Sequence, residues 1–300
     1  MKIQVIALPY NVQGKGSGGA SGPGVLIRGD LLDRIARQGH ELAEPRTVQM
    51  SAAEEAEYGG WNRVGLAGGH LAGMVKEARL SGAFVLGLLA DCNGVLGVLG
   101  GLQSAGGTAK PRVGLVYIDA HGDYNTPETS PSGMLGGMPV AVAAGKCLHR
   151  LRIRNMLENP LKPHQIVLAG MRDLDDLERE AVETDRIKII REDDLISRSD
   201  KMHEAMRSLS ETEDLIYVHV DLDILDPTVA PAAGLPSPGG LTGEQLGLAL
   251  KAMLQYPKVV SLALVSYRAD TDIDGRTGNE VETAILLATE GLLGRSLALI

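Results

Sequence analysis

Seven short apolar runs recur along this chain, each closed by Gly, Pro or Asp: IQVIALP at 3–9, FVLGLLA at 84–90, VGLVYIDA at 113–120, QIVLAGM at 165–171, KII at 188–190, LIYVHVDL at 215–222 and VVSLALVSY at 259–267. Most of them are continuously apolar rather than alternating, so both faces of each strand must be covered. Helix-length segments lie between them, such as GVLIRGDLLDRIARQGH (24–40) and TGEQLGLALKAMLQY (242–256), the latter with Thr242 and Glu244–Gln245 as a capped start. Strands and helices in this alternation predict an α/β chain with a parallel sheet covered by helices on both sides. In such sheets ligands sit at the carboxyl ends of the strands, so the residues just beyond each run are the first candidates for function.

Two of the runs end in acidic clusters. VGLVYI leads into DAHGDYN, with Asp119, His121 and Asp123, and LIYVHV leads into DLDILDP, with Asp221, Asp223 and Asp226. Residues two apart in extended chain point to the same side, so each trio can converge on one point. Taken singly, an Asp-x-Asp at a strand end is as readily a turn or a helix cap. Two such clusters, one with a histidine, favour a cation, because carboxylates packed this closely repel one another without one. Carboxylates with one imidazole suit Mn²⁺, Mg²⁺ or Fe²⁺ better than structural Zn²⁺. A third run, FVLGLLA, ends in Asp91, Cys92 and Asn93, polar residues that rarely go inside without a partner. His70, in AGGHLAG, falls in a helix and reads as a surface residue, and Cys147 as an ordinary core thiol.

No linker or low-complexity tract divides the 300 residues, of which 44% are hydrophobic, so residues 1–300 are expected to form one domain. A net charge of −9 and a pI near 5.3 argue against nucleic acid and anionic membrane as partners and leave small molecules. The amino-terminal apolar stretch is too short for a signal sequence, and no run of about twenty apolar residues occurs. Together with only two cysteines, this predicts a soluble cytoplasmic protein.

From SGPG at 21–24 to GGLT at 239–242 the chain resembles the ureohydrolases, the arginase and agmatinase family. DAHGDYNTPETSPSGMLGGMP (119–139) and HVDLDILDPTVAPAAGLPSPGGLT (219–242) match its two signatures. The resemblance implies a three-layer α/β/α fold with a mostly parallel sheet of about eight strands, a homo-oligomer (trimer or hexamer), and two Mn²⁺ ions activating water to attack a guanidino carbon. It assigns Asp119 and Asp221 as bridging ligands, Asp123 to one ion, and His121 and Asp223 to the other. Asp123 is also implied as the group that passes a proton to the leaving amine. Cys92 stands where the family has a histidine ligand and becomes the sixth ligand, with Asp91 and Asn93 bracing it.

The departures from the family pattern concern the guanidinium. Gly136 replaces the proton-shuttling histidine, Ser266 the glutamate that pairs with the guanidinium, and Leu235 a threonine. Asn125, Ser132 and Asp175 match positions that bind the amino-acid end of the substrate. A cysteine beside a divalent ion adds a negative charge that the Glu-to-Ser change removes, and its soft thiolate shifts preference toward Zn²⁺ or Fe²⁺ while the carboxylates favour Mn²⁺. The substrate group has lost its own anion, which fits one less basic than arginine, and a branch of the family acts on Nω-hydroxyarginine. The leading expectation is therefore an amidinohydrolase releasing ornithine and hydroxyurea. The alternatives are an enzyme acting on arginine, agmatine or a guanidino or formimidoyl acid, and a degenerate binding protein without turnover. His219, where the family has Ser or Thr, is read as a replacement proton carrier or as a histidine packed beneath the site.

Overall fold

The computed structural model describes residues 1–295. Nine strands form one sheet: β1 (Lys2–Leu8), β2 (Glu41–Leu42), β3 (Arg46–Thr47), β4 (Phe84–Leu89), β5 (Val113–Ile118), β6 (Ile166–Ala169), β7 (Lys188–Ile190), β8 (Leu215–Asp221) and β9 (Val259–Val265). Their order is 2-1-4-9-8-5-6-7, with β3 also paired to β1, and every pairing is parallel. The seven expected strands are all present. The two-residue strands β2 and β3 carry no apolar run to announce them; they extend the β1 edge through backbone pairing.

Helices cover both faces. They include α1 (Gly22–Arg28), α2 (Leu31–Arg37), α3 (Gly60–Leu80), α4 (Gly94–Ala105), α5 (Asp176–Thr184), α6 (Asp200–Thr212), α7 (Gly243–Leu254) and α8 (Arg276–Glu290). Successive strand residues alternate between two cores, as a period of two requires. In β8, Ile216, Val218 and Val220 face the core of α1, α2, α6, α7 and α8, while Leu215 and Tyr217 face that of α3 and α4. This three-layer arrangement is the one implied by the sequence.

Local chemistry sets the helix boundaries. The segment 24–40 is two helices rather than one, because Gly29 takes an extended conformation (ψ −169°) that breaks the hydrogen-bond ladder. Thr242 caps α7 as expected: its Oγ accepts from the Gln245 amide at 3.2 Å, and Gln245 Oε1 accepts from the Thr242 amide at 2.9 Å. Among the described residues no helix is long and apolar enough to cross a membrane.

The helix pair α3–α4 depends on glycine. A Cβ at Gly97 would lie 2.7 Å from the Gly68 carbonyl, and one at Gly101 2.6 Å from the Ala72 carbonyl. Close packing here holds the start of α4, and with it the turn that carries Cys92. Gly97→Leu should therefore cost about 1–3 kcal/mol of stability by overpacking. Urea unfolding reads this as a lower midpoint; an unchanged midpoint would show that the helix contact is looser than described.

Candidate metal centre

The four central strands, in the order β4-β9-β8-β5, each end at the same place. Cys92 comes after β4, Ser266 after β9, Asp221 closes β8 with Asp223 just beyond, and Asp119, His121 and Asp123 come after β5. Sequence positions 92 to 266 thus meet because the topology sets these strands side by side.

Asp119 is anchored by its amide, which donates to the Ala169 carbonyl at 3.1 Å. Its Oδ1 accepts from the His121 amide at 2.6 Å and lies 3.2 Å from His121 Nδ1. That same nitrogen is 3.3 Å from Asp223 Oδ2. Asp123 adopts left-handed backbone (φ +49°), and the Tyr117 hydroxyl donates to its Oδ2. Two groups of donor atoms result, each within 4.8 Å: Cys92, Asp119 and Asp123 in one, and Asp119, His121 and Asp223 in the other. They share Asp119, as a ligand bridging two ions would be shared.

Asp221 joins the halves. Its Oδ1 accepts from the Asp223 amide at 3.1 Å, and its Oδ2 accepts both the Cys92 thiol at 2.6 Å and the Ser266 hydroxyl at 2.8 Å. Ser266 is held at φ +70°, uncommon for a side chain other than glycine. Cys92 sits in a turn in which Asp91 Oδ1 accepts from the Asn93 amide at 3.0 Å and from its side chain at 3.2 Å. Gly234 completes the wall: a Cβ there would come within 3.0 Å of Asp223 Oδ2 and 3.3 Å of Asp221 Oδ1.

The electrostatics are those of a cage made for cations. Asp119, Asp123, Asp221 and Asp223 are all at most 5% exposed. Burial first, then the neighbouring Asp223 carboxylate, pushes Asp221 up to about 7 and holds Asp119 well above the usual range; burial does the same at Asp123. Burial and the adjacent Asp221, Asp123 and Asp119 also raise the Cys92 thiol. Burial opposes charge on His121, yet its contacts with Asp119 and Asp223 prevail and push it up to about 12. The carboxyl and thiol shifts are costs of burial and of crowding like charges that divalent cations would offset. The buried oxygens, one imidazole and one thiol therefore fit a pair of divalent ions.

The other expected residues are placed less uniformly. Asn125 is buried and its Nδ2 donates to Asp175 Oδ2 at 2.9 Å, so these two come together. Ser132 lies on an exposed turn beside Ser130 (3.4 Å), Gly136 is partly covered, and Leu235 is exposed. Asp226 caps the Thr228 amide at 2.8 Å and His70 pairs with Glu54 at 2.9 Å on the surface. Cys147 packs against the rim of the α3–α4 core, where it is only half-buried, and is not the core thiol expected. His219 is fully buried within β8. Its Nδ1 is 2.6 Å from the Tyr217 hydroxyl, its ring stacks on Tyr117 at 4.7 Å and 4°, and burial pushes it down to about 3. That is the packed alternative: the imidazole is held by Tyr217, and burial disfavours the charged form that a proton carrier must pass through.

Sequence reasoning missed four contributors: Tyr117, Tyr217, Gly234 and Glu178. Glu178 is buried and accepts from the Tyr124 amide at 2.7 Å, beside the Asn125–Asp175 pair. The only advance signal was tyrosine in otherwise aliphatic runs.

Comparison with known proteins places this geometry. The sequence pattern of the arginase family matches residues 1–290. The arginases of Bacillus caldovelox and Bacillus subtilis (strain 168) are each 30% identical, over 92% of this chain and 94% of the relative, and over 98% of both. The crystal structure of the Bacillus subtilis arginase superposes with a TM-score of 0.83 at 27% identity, covering 99% of this chain and all of that one.

Crowded carboxylates make metal and protons compete. A carboxyl whose pKa is raised on folding contributes stability below its unfolded pKa near 4 and loses it as pH rises through the folded value, about 7 for Asp221. Metal-free protein should thus melt at lower temperature as pH rises from about 4 to 8. Mn²⁺ should restore it most at the high end, by about 2.7 kcal/mol at about 100 times its Kd. Thermal melts with and without chelator check this. Asp119→Asn should abolish uptake of both ions, whereas His121→Ala should spare one; equal losses would refute a shared ligand.

Proposed function

The chain belongs to the arginase family, hydrolases of C–N bonds in linear amidines, and from that premise we propose that it cleaves the guanidino group of an arginine-type amino acid, with Nω-hydroxy-L-arginine preferred to arginine and L-ornithine and hydroxyurea as products. The observation that carries this is the pair of donors on Asp221 Oδ2, the Cys92 thiol and the Ser266 hydroxyl. At position 266 a hydroxyl that spends its proton on Asp221 offers a guanidinium no anion. A strongly basic group is then poorly matched, and one whose basicity is lowered by an electronegative N-oxygen is better matched.

Manganese is the proposed occupant of the cage, and a bound pair supplies Lewis-acid activation that makes water nucleophilic at neutral pH. Everything else falls to the chain. Asp123 moves the proton to the departing nitrogen. Asn125, Asp175 and Glu178 hold the amino-acid end, and the burial of the carboxylates keeps bulk water from the reacting carbon. Ser132 is proposed to meet the α-carboxylate of the substrate. A homo-oligomer, trimeric or hexameric, is proposed with this activity.

The second reading is an arginase, and the naming of the 30% identical relatives as arginases supports it. Turnover of arginine, Nω-hydroxyarginine and agmatine with added Mn²⁺, products identified by mass, decides. Higher kcat/KM on Nω-hydroxyarginine is expected; the reverse order makes the protein an arginase, and ions bound without turnover make it a degenerate binding protein. Cys92→His should raise arginine selectivity by no more than about tenfold, about 1.4 kcal/mol, because Gly136, Leu235 and Ser266 remain.

A further inference from the structure

Beneath the half of the centre that contains Cys92 lies a layer of three side chains that the reaction does not touch. Tyr117 on β5 and His219 on β8 are register partners on adjacent strands, and Tyr217 precedes His219 by two residues on the same face. All three are fully buried. The imidazole lies flat on the Tyr117 ring and edge-on to Tyr217 (5.7 Å, 87°), and its Nδ1 is 2.6 Å from the Tyr217 hydroxyl. The Tyr117 hydroxyl in turn donates to Asp123 Oδ2. Asp123 needs such a partner: its backbone is left-handed, and its carboxylate must stand within 4.8 Å of both Cys92 and Asp119.

We propose that Tyr117 is a positioning residue for one of the two metal subsites, the one formed by Cys92, Asp119 and Asp123. Its hydroxyl occupies Asp123 Oδ2 and leaves Oδ1 as the single oxygen for an ion, while the His219 stack, fixed by Tyr217, keeps the phenol from rotating away. An outer partner of this kind orients a ligand and tunes its basicity, and its loss costs about 10- to 100-fold in metal affinity. Among the described residues, His121 and Asp223 of the second subsite make no hydrogen bond to this layer, and that subsite keeps its affinity. His219 therefore acts through Tyr117 by shape, as a flat neutral ring. Tyrosine at 117 and histidine at 219 were joined by the sheet register.

This inference rests on the reading of those residues as a metal centre, not on the choice of substrate. Its test uses the full chain loaded with Co²⁺, whose bond to a thiolate gives a charge-transfer absorption in the near ultraviolet, and a parallel Mn²⁺ titration by calorimetry. In Tyr117→Phe, which keeps the ring and its stack, the Cys92-side ion should bind about 10- to 100-fold more weakly, with the thiolate band appearing only at correspondingly higher Co²⁺. The other ion should titrate as in the parent. An unchanged band and two unchanged affinities in Tyr117→Phe overturn the role of the hydroxyl. Equal weakening of both ions overturns its selectivity and marks a general loss of structure. A parent protein with no thiolate band overturns the metal reading of Cys92 itself, a different result from either. Tyr217→Phe, which frees His219 Nδ1 but leaves the Tyr117 hydroxyl, should weaken only the Cys92-side ion and by less than Tyr117→Phe; a larger loss would place the control elsewhere.

Discussion

Burying four carboxylates within reach of one another is the constraint on which the rest of this structure depends. Left to themselves, Asp119, Asp123, Asp221 and Asp223 would repel, and burial makes Asp119, Asp123 and Asp221 reluctant to ionise. The molecule meets this with rigid surroundings. The residues stand at the ends of four adjacent strands, and backbone amides of His121, Asp223 and Ala120 point at carboxylate oxygens. Arg172 fastens the turn after β8 by donating to the carbonyls of Asp223 and Ile224 and to three carbonyls of the 237–239 loop. Such a frame holds the oxygens in place whether or not their charges are balanced, at a cost that cations remove.

Much of this was legible in the sequence. Continuous apolar runs announced the sheet, because only strands covered on both faces can be built from them. Acidic clusters at the run ends announced the centre, and Thr242 its helix start. What remained hidden has a common cause. The break at Gly29 depends on a single backbone torsion, and the edge strands at 41–42 and 46–47 on pairing with β1. The lock of Tyr117 on Asp123 depends on which strand lies beside β5, and the need for glycine at 234 on a wall built by residues far along the chain. Local sequence carries periodicity and charge; it carries no cross-strand register. His219 shows the limit well, since strand alternation placed it on the correct face but could not show that Tyr217 and Tyr117 had already claimed both its edge and its plane.

The comparison with Bacillus arginases separates frame from content. At about 30% identity the fold is kept over nearly the whole chain. In this chain one oxygen of Asp221 is met by a thiol and a hydroxyl, Cys92 and Ser266. Fold and chemistry answer to different residues here, and the second set is small.

The strand order has a consequence for the ligand set. Strands β4 and β5 are separated in the finished sheet by β9 and β8, which come later in the chain, so their ends stand three strand spacings apart, about 14 Å. The candidate ligands at 92 to 123 precede in the chain the residues at 221, 223 and 266 that stand between them in the sheet. The ligand set is thus complete only in a chain whose last strands are in place, and the crowding of its acidic groups belongs to the finished sheet rather than to any one segment.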